Sequence, residues 1–398
     1  MPSIRPLRSL LLLFLAISVE ALAQAPAPEP VTAAASATAS ADASADASVC
    51  RHPADIACLQ SFNLPGDAGR MRYYASQAPG ASKGAMPRSA LVVMHGHPRD
   101  ANRSFEAGLR AAEGAQRLQD TLVIAPLYQV PEDQAAHCHS RGVPAAGSAD
   151  AVWTCAGWLA GEPSLGPHPI GSFAALDALV AELVQRWPGL RSVTLAGFSA
   201  GAQMLQHSVA FAADAPGTVT LRYVIADPGT WLYFDPVRPQ PQMAGQSTDW
   251  AACGTGAAFP GACSFVFQVP PAASACPGHD RWKYGLQDLP GHLGRDAAAA
   301  RARYAAAQID YLEGALDSSA DKGAFYPILD KSCAAMLQGP FRLQRGHAFA
   351  AYERELLAPQ RPRRFVVVPD CAHDVACVLP SLACLLYTSP SPRDLSTS

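Results

Sequence analysis

Little of this chain is charged: Asp, Glu, Lys and Arg make up 16% of its 398 residues, the formal net charge is −3, and no long run of Lys or Arg occurs. That balance gives no electrostatic basis for binding nucleic acid or an anionic membrane surface. No internal repeat is evident, which removes repeat architectures from consideration. Long apolar runs are missing too. The uninterrupted stretch Leu10–Val19 is about half the length a bilayer-spanning helix needs, and Glu20 ends it. Metal-ligand spacing is equally lacking. His95 with His97 and His137 with His139 are close pairs, but no carboxylate or third histidine stands at a recognised spacing, and Cys138 is expected to be oxidised. Neither a metal nor a cofactor is expected. What is plentiful is apolar material, 49% of residues, enough for a sizeable core. The expected partners are small molecules.

The N-terminus sets Arg5 and Arg8 before that apolar run and closes it with Ala21-Leu22-Ala23. This is the layout of a secretory signal peptide over residues 1–23, cleaved after about Ala23, and it implies a periplasmic or extracellular protein. Residues 24–49 are almost wholly Ala, Pro, Ser, Thr, Asp and Glu and cannot bury enough apolar surface to order, so a disordered tether is expected there. Eleven cysteines in an exported chain argue for disulfides. Residues 384–398 begin CLLYTSPSPRD, which reads as the conceptual translation of a transposase sequencing adapter and puts the end of the natural sequence near Ala383. Without Cys384 ten cysteines remain. Sequence proximity suggests Cys50–Cys58, Cys138–Cys155 and Cys371–Cys377, and leaves Cys253, Cys263, Cys276 and Cys333 open.

Within residues 50–383 continuous apolar runs alternate with helical patterns. Strands are expected at 71–75, 90–94, 122–125, 193–196, 221–226, 308–316 and 365–368, and helices at 105–118, 173–184, 202–210 and 346–357. Apolar runs without polar alternation suit strands buried on both faces, so the pattern predicts a mostly parallel, doubly wound α/β sheet. Two long Gly-, Pro- and Cys-containing stretches, 130–170 and 228–297, interrupt it. They are expected over the carboxyl ends of the strands, where ligands of such sheets bind.

The most informative segment is Gly197-Phe198-Ser199-Ala200-Gly201, between the 193–196 run and a helix of small residues. The pentapeptide alone arises by chance in about one chain of this length in ten. Its strand–turn–helix context makes it a nucleophile elbow, with Ser199 on a strained turn that only neighbouring glycines can accommodate. A serine hydroxyl needs a base, and the base needs an acid to hold its tautomer. In chain order the acid and then the histidine follow the serine. His373, after the last strand in Pro369-Asp370-Cys371-Ala372-His373, is the candidate base. Asp317, closing Tyr311-Leu312-Glu313-Gly314-Ala315-Leu316-Asp317, is the preferred acid; Asp227, directly after the 221–226 strand, and Asp321 are its competitors. For the oxyanion hole, one donor is the backbone N–H of Ala200. The second is assigned to His97 on the turn His95-Gly96-His97-Pro98-Arg99, since Pro98 has no N–H. Arg99 and Phe198 are the candidate substrate-binding residues.

At these residues the chain resembles the α/β-hydrolase superfamily, and within it a group of exported bacterial and fungal serine hydrolases. The resemblance runs from about Ala90 to Val378 through HGHPRD, Ser172-Phe173-Ala174-Ala175-Leu176-Asp177, GFSAGAQ, the YLEGALD strand, residues 332–352 and VVVPDCAHD. It implies an α/β-hydrolase fold with a Ser199–Asp317–His373 triad and an oxyanion loop at His95–Arg99. Two departures stand out: Phe198 replaces a frequent histidine, and Asp370-Cys371-Ala372 replaces a glycine-richer approach to the base. The expected activity is ester hydrolysis through an acyl-enzyme, on a small-molecule or polymeric ester. A polyester depolymerase or serine peptidase on the same fold is the alternative, and an open or covered cleft separates the first of these. A non-catalytic binding protein on a hydrolase scaffold is the third reading, opposed by the complete triad.

Overall fold

The computed structural model describes residues 50, 56–79, 86–271 and 276–381. The signal peptide, tether and adapter-like tail expected at 1–23, 24–49 and 384–398 lie outside the described residues, as does Cys384.

Eight strands form the central sheet: β1 (Leu59–Asn63), β2 (Arg70–Ala75), β3 (Ser89–Met94), β4 (Thr121–Leu127), β5 (Ser192–Phe198), β6 (Thr220–Ala226), β10 (Ile309–Gly314) and β11 (Phe365–Val368), in the order β1-β2-β4-β3-β5-β6-β10-β11. The pairs β1–β2 and β2–β4 are antiparallel, and every pair from β4 to β11 is parallel. The apolar runs have the expected cause. In β3, Ala90, Val92 and Met94 enter one core cluster while Leu91 and Val93 enter another, because successive side chains leave opposite faces and both faces are covered.

Helix α1 (Ala101–Gly114) packs Ala107 and Ala111 on Leu91 and Val93, in one cluster with Val375 and Val378 of the short α8 (Val375–Val378). On the opposite face lie α3 (Ser172–Arg186), α4 (Ala200–Val209), α5 (Ala297–Ala306) and α7 (Arg342–Tyr352). Two single-turn helices, α2 (Glu132–Ala135) and α6 (Cys333–Met336), punctuate the connections. The expected helix at 105–118 begins four residues earlier, since the chain turns into it directly after Asp100. The one expected at 346–357 begins at Arg342, and its last turn, Glu353–Leu357, is wound as a π-helix. Strand 308–316 stops at Gly314, where Ala315–Asp317 turns out of the sheet with the Asp317 N–H on the Gly314 carbonyl (3.0 Å).

Two insertions follow β4 and β6 at their carboxyl ends. The second carries its own antiparallel sheet, in the order β8-β7-β9, from β7 (Arg238–Met243), β8 (Gln246–Ser247) and β9 (Cys263–Gln268), which was not expected. Five disulfides are present: Cys50–Cys58, Cys138–Cys155, Cys253–Cys263, Cys276–Cys333 and Cys371–Cys377. The three pairs suggested by proximity are among them. Among the described residues no helix is long and apolar enough to cross a membrane.

Candidate active site

The site is built where β5, β6, β10 and β11 end together, in register Phe198↔Ala226, Leu312↔Ala226 and Gly314↔Val368. Between β5 and α4 the chain reverses within one residue. Ser199 adopts φ 58° and ψ −122°, a region that non-glycine residues rarely occupy, and its N–H bonds the Ala226 carbonyl (3.0 Å). The turn is possible because its flanking residues lack side chains. A Cβ on Gly197 would stand 2.5 Å from the Gly201 carbonyl oxygen.

His373 lies on the loop between β11 and α8. Its Nδ1 donates to Asp317 Oδ2 (2.6 Å), and its Nε2 accepts from the Ser199 hydroxyl (2.7 Å). Since a carboxylate can only accept, the Asp317 contact fixes the proton on Nδ1 and leaves Nε2 free to take one. The histidine and acid loops hold each other: the His373 N–H bonds the Gly323 carbonyl (3.2 Å), and the Leu316 N–H bonds the Cys371 carbonyl (2.8 Å). Burial holds the imidazole below its ordinary pKa, and the nearby Arg342 guanidinium pushes the same way, against the opposing Asp317 carboxylate.

Asp317 has a second partner that the sequence did not disclose. Arg342, buried at the first position of α7, places Nη1 3.1 Å from Asp317 Oδ1 and 2.7 Å from the Ala324 carbonyl oxygen. Beneath lie two more carboxyl groups. Asp227 accepts the Gly314 N–H at Oδ1 (2.8 Å), and burial together with the Asp317 charge raises its pKa to about 7. Glu313 is pushed well above the carboxylate range by burial and by Asp227. Asp227 Oδ2 and both Glu313 oxygens lack a well-formed hydrogen bond. Asp321 is exposed and bonded to Ser319, away from the imidazole. A charged residue within the apolar β10 run was the available signal for Glu313. Arg342 gave a weak one, a cation at a helix start where the dipole opposes it.

The turn after β3 flanks the serine: a Cβ on Gly96 would lie 3.9 Å from Ser199 Cβ. The Gly96 N–H is taken by Asp100 Oδ1 (2.9 Å). No described hydrogen bond uses the His97 N–H, and the Ala200 N–H, in the first turn of α4, has no intrahelical acceptor. His95 is fully buried; its Nε2 accepts the Tyr128 N–H (3.2 Å), its Nδ1 contacts the Gly96 carbonyl (2.8 Å), and burial lowers its pKa to about 4. It is a neutral structural residue. His137 and His139 are exposed, and Cys138 between them is bonded to Cys155.

One expectation needs correction. Arg99 is only 2% exposed and does not face the site as a substrate contact; Nε bonds the Cys138 carbonyl (3.1 Å) and Nη1 bonds Gln129 Oε1 (2.9 Å), so it anchors the first insertion. Phe198 is buried and lays its ring 4.6 Å from that of His373. Phe325 was missed. It is 56% exposed at φ 48°, with its ring 6.1 Å from His373 on the solvent side.

The fold is that of the α/β hydrolases. The chain is similar to poly(aspartic acid) hydrolase-1 from Sphingomonas sp. KT-1, at 22% identity over 83% of this chain and 98% of that one, with a TM-score of 0.50. It is also similar to a poly(3-hydroxybutyrate) depolymerase from Bordetella parapertussis, at 17% identity over 85% and 93% of the two chains, with a TM-score of 0.51. No protein-family model matches the sequence, and no curated protein matches it significantly.

Proposed function

We propose that this protein is an exported serine hydrolase, a carboxylesterase with Ser199 as nucleophile, His373 as base and Asp317 as acid. The observation that carries the reading is the continuous relay Asp317–His373–Ser199, at 2.6 and 2.7 Å, ending on a serine held in strained backbone. In the proposed reaction Ser199 Oγ attacks the ester carbonyl while its proton passes to His373 Nε2. The oxyanion is received by the N–H groups of Ala200 and His97, each such donor contributing about 2.7 to 4 kcal/mol to transition-state stabilisation. Collapse expels the alcohol, which takes the proton from His373. Water then attacks the acyl-enzyme by the same route, releasing the acid and restoring Ser199. The five disulfides support residence in an oxidising compartment.

A polymeric ester is the second substrate reading, and the exposed Phe325 ring beside His373 favours it, because it gives a chain longer than the scissile unit an apolar surface to lie on. Purified protein is expected to hydrolyse p-nitrophenyl butyrate and to be labelled at Ser199 by a fluorophosphonate. Ser199→Ala should lose activity by a factor on the order of 10⁴ to 10⁶. Folded, oxidised protein that takes no label would overturn the reading; release of soluble acid from a polyester film would extend it to polymers.

A further inference from the structure

A second carboxyl group lies beside the Asp317–His373 hydrogen bond. One donor atom each of Asp227, Asp317 and His373 lie within 4.8 Å of one another. Both aspartates are buried; Asp227 directly follows β6, and Asp317 ends the turn after β10, the strand paired with it at Leu312↔Ala226. Of the two, Asp317 bonds the imidazole, at 2.6 Å, and the cation Arg342 is what sets its surroundings apart from those of Asp227. Arg342 bonds Asp317 Oδ1, and the next residue of the same helix, Leu343, donates its N–H to the Asp317 carbonyl (3.1 Å), so the start of α7 grips this aspartate through side chain and backbone. Asp227 has no such counterion. Glu313, Asp317 and, more weakly, the Arg342 charge act on it, and Arg342 makes its ion pair with Asp317 rather than with Asp227. A buried carboxylate without a cation is strongly disfavoured and takes up a proton instead.

We infer that Arg342 is a positioning residue that selects Asp317 over Asp227 as the carboxyl partner of His373. The inference rests on the triad reading above. Arg342 stands at a helix start, where the macrodipole disfavours a cation, and its charge there is compensated by the buried Asp317 carboxylate. Selection follows from charge pairing and geometry: Arg342 holds Asp317 by side chain while Leu343 holds its backbone, and without Arg342 the carboxylate loses the contact that keeps it aimed at His373 Nδ1.

The test compares Arg342→Met, Arg342→Lys, Asp227→Asn and the Arg342→Met/Asp227→Asn double variant, each checked for folding by circular dichroism and for Ser199 by fluorophosphonate labelling. Arg342→Met should lower kcat by at least about 10-fold with KM changed less than about threefold, since a positioning loss acts on the chemical step. Its acid limb in kcat/KM should move to higher pH, because a positive charge that disfavours imidazolium is gone. Arg342→Lys should restore most of the limb position. Asp227→Asn should cost distinctly more, or less, in the Arg342→Met background than in the parent. Additive effects with an unmoved pH profile would overturn the inference. If Arg342→Met does not fold, the Arg342→Lys profile and the imidazole proton resonance of His373, read by NMR in Ser199→Ala with Asp227→Asn or Asp317→Asn added, decide it: a resonance that responds equally to both aspartates refutes selection. Failure of the triad reading is separable, since it appears as activity retained in Ser199→Ala.

Discussion

Gly201 lies directly against the carbonyl of Met94: a Cβ on Gly201 would stand 2.7 Å from that oxygen, closer than real Cβ atoms come. The contact joins the start of α4 to the end of β3, and the obstacle is backbone, which cannot swing aside. Gly201→Ala is therefore expected to lose about 3 kcal/mol or more of stability. Gly217→Ala, where φ is +61° but nothing lies within 4 Å, should cost only about 1 kcal/mol. Urea denaturation of the two variants makes the comparison; equal losses would show that the elbow tolerates a methyl group.

The pH dependence of turnover follows from the buried imidazole. In the proposed mechanism His373 acts as base only when neutral, and burial with the Arg342 charge lowers its pKa from 6.5. Activity should rise with pH along a limb whose midpoint lies below 6.5 and should be full at neutral pH. A kcat/KM profile with its midpoint above 6.5 would contradict this environment.

His347, on α7, has its ring 4.5 Å from that of Phe365 and 5.1 Å from that of Phe259, and burial lowers its pKa to about 4. Between pH 6.5 and 4 the unfolded chain binds a proton at this residue and the folded protein does not, so its contribution to stability falls as pH falls. His347→Phe should thus gain stability relative to the parent on going from pH 8 to pH 5, by up to about 2 kcal/mol. Paired denaturation curves at the two pH values test the sign; a constant difference would place the unperturbed histidine in solvent.

The Cys371–Cys377 bridge closes a six-residue span that contains His373. Closing so short a loop contributes about 2 kcal/mol by chain entropy. Its larger effect should be on the loop, because the Cys371 carbonyl also receives the Leu316 N–H beside Asp317. Reduction, or Cys371→Ser, should lower kcat at temperatures where circular dichroism still shows the folded protein. Unchanged turnover in the reduced, folded protein would separate the bridge from the site.

How much of this was legible in the sequence depended on how local the cause was. Ser199, Asp317 and His373, which the structure joins by hydrogen bonds, could be proposed from the sequence because each comes soon after a recognisable strand and the chain order of such sets is constrained. Arg342 was not, because its significance depends on Asp317, 25 residues earlier, and on the packing of α7. In the same way, Asp227 was weighed as a rival acid without Glu313, whose buried carboxyl leaves it no counterion. β7 was hidden by Pro239 and Pro241, which argue against a strand. The structure accommodates both: the Thr248 N–H meets the Pro241 carbonyl on the side of β7 away from β9, so both missing N–H groups fall on that side, and β7 pairs with β9 through the alternate residues. Helix α5 escaped for the opposite reason. Its Ala-rich sequence favours a helix and Asp296 caps it, accepting the Ala299 N–H at 2.8 Å, yet only Ala300 and Tyr304 are buried, so it shows almost no apolar period.

The disulfides share one property of order. Taken along the chain from Cys50 to Cys377, each cysteine is bonded to its immediate neighbour in sequence: first to second, third to fourth, and so on, across separations of 8, 17, 10, 57 and 6 residues. No covalent loop encloses or crosses another. A chain threading N-terminus first into an oxidising compartment therefore meets its correct partner thiol each time as the next one to emerge, and an oxidant that joins thiols in order of appearance writes the native pattern directly. Under the proposed export, a donor of disulfides is enough to write this pattern, with no need for an enzyme that reshuffles them.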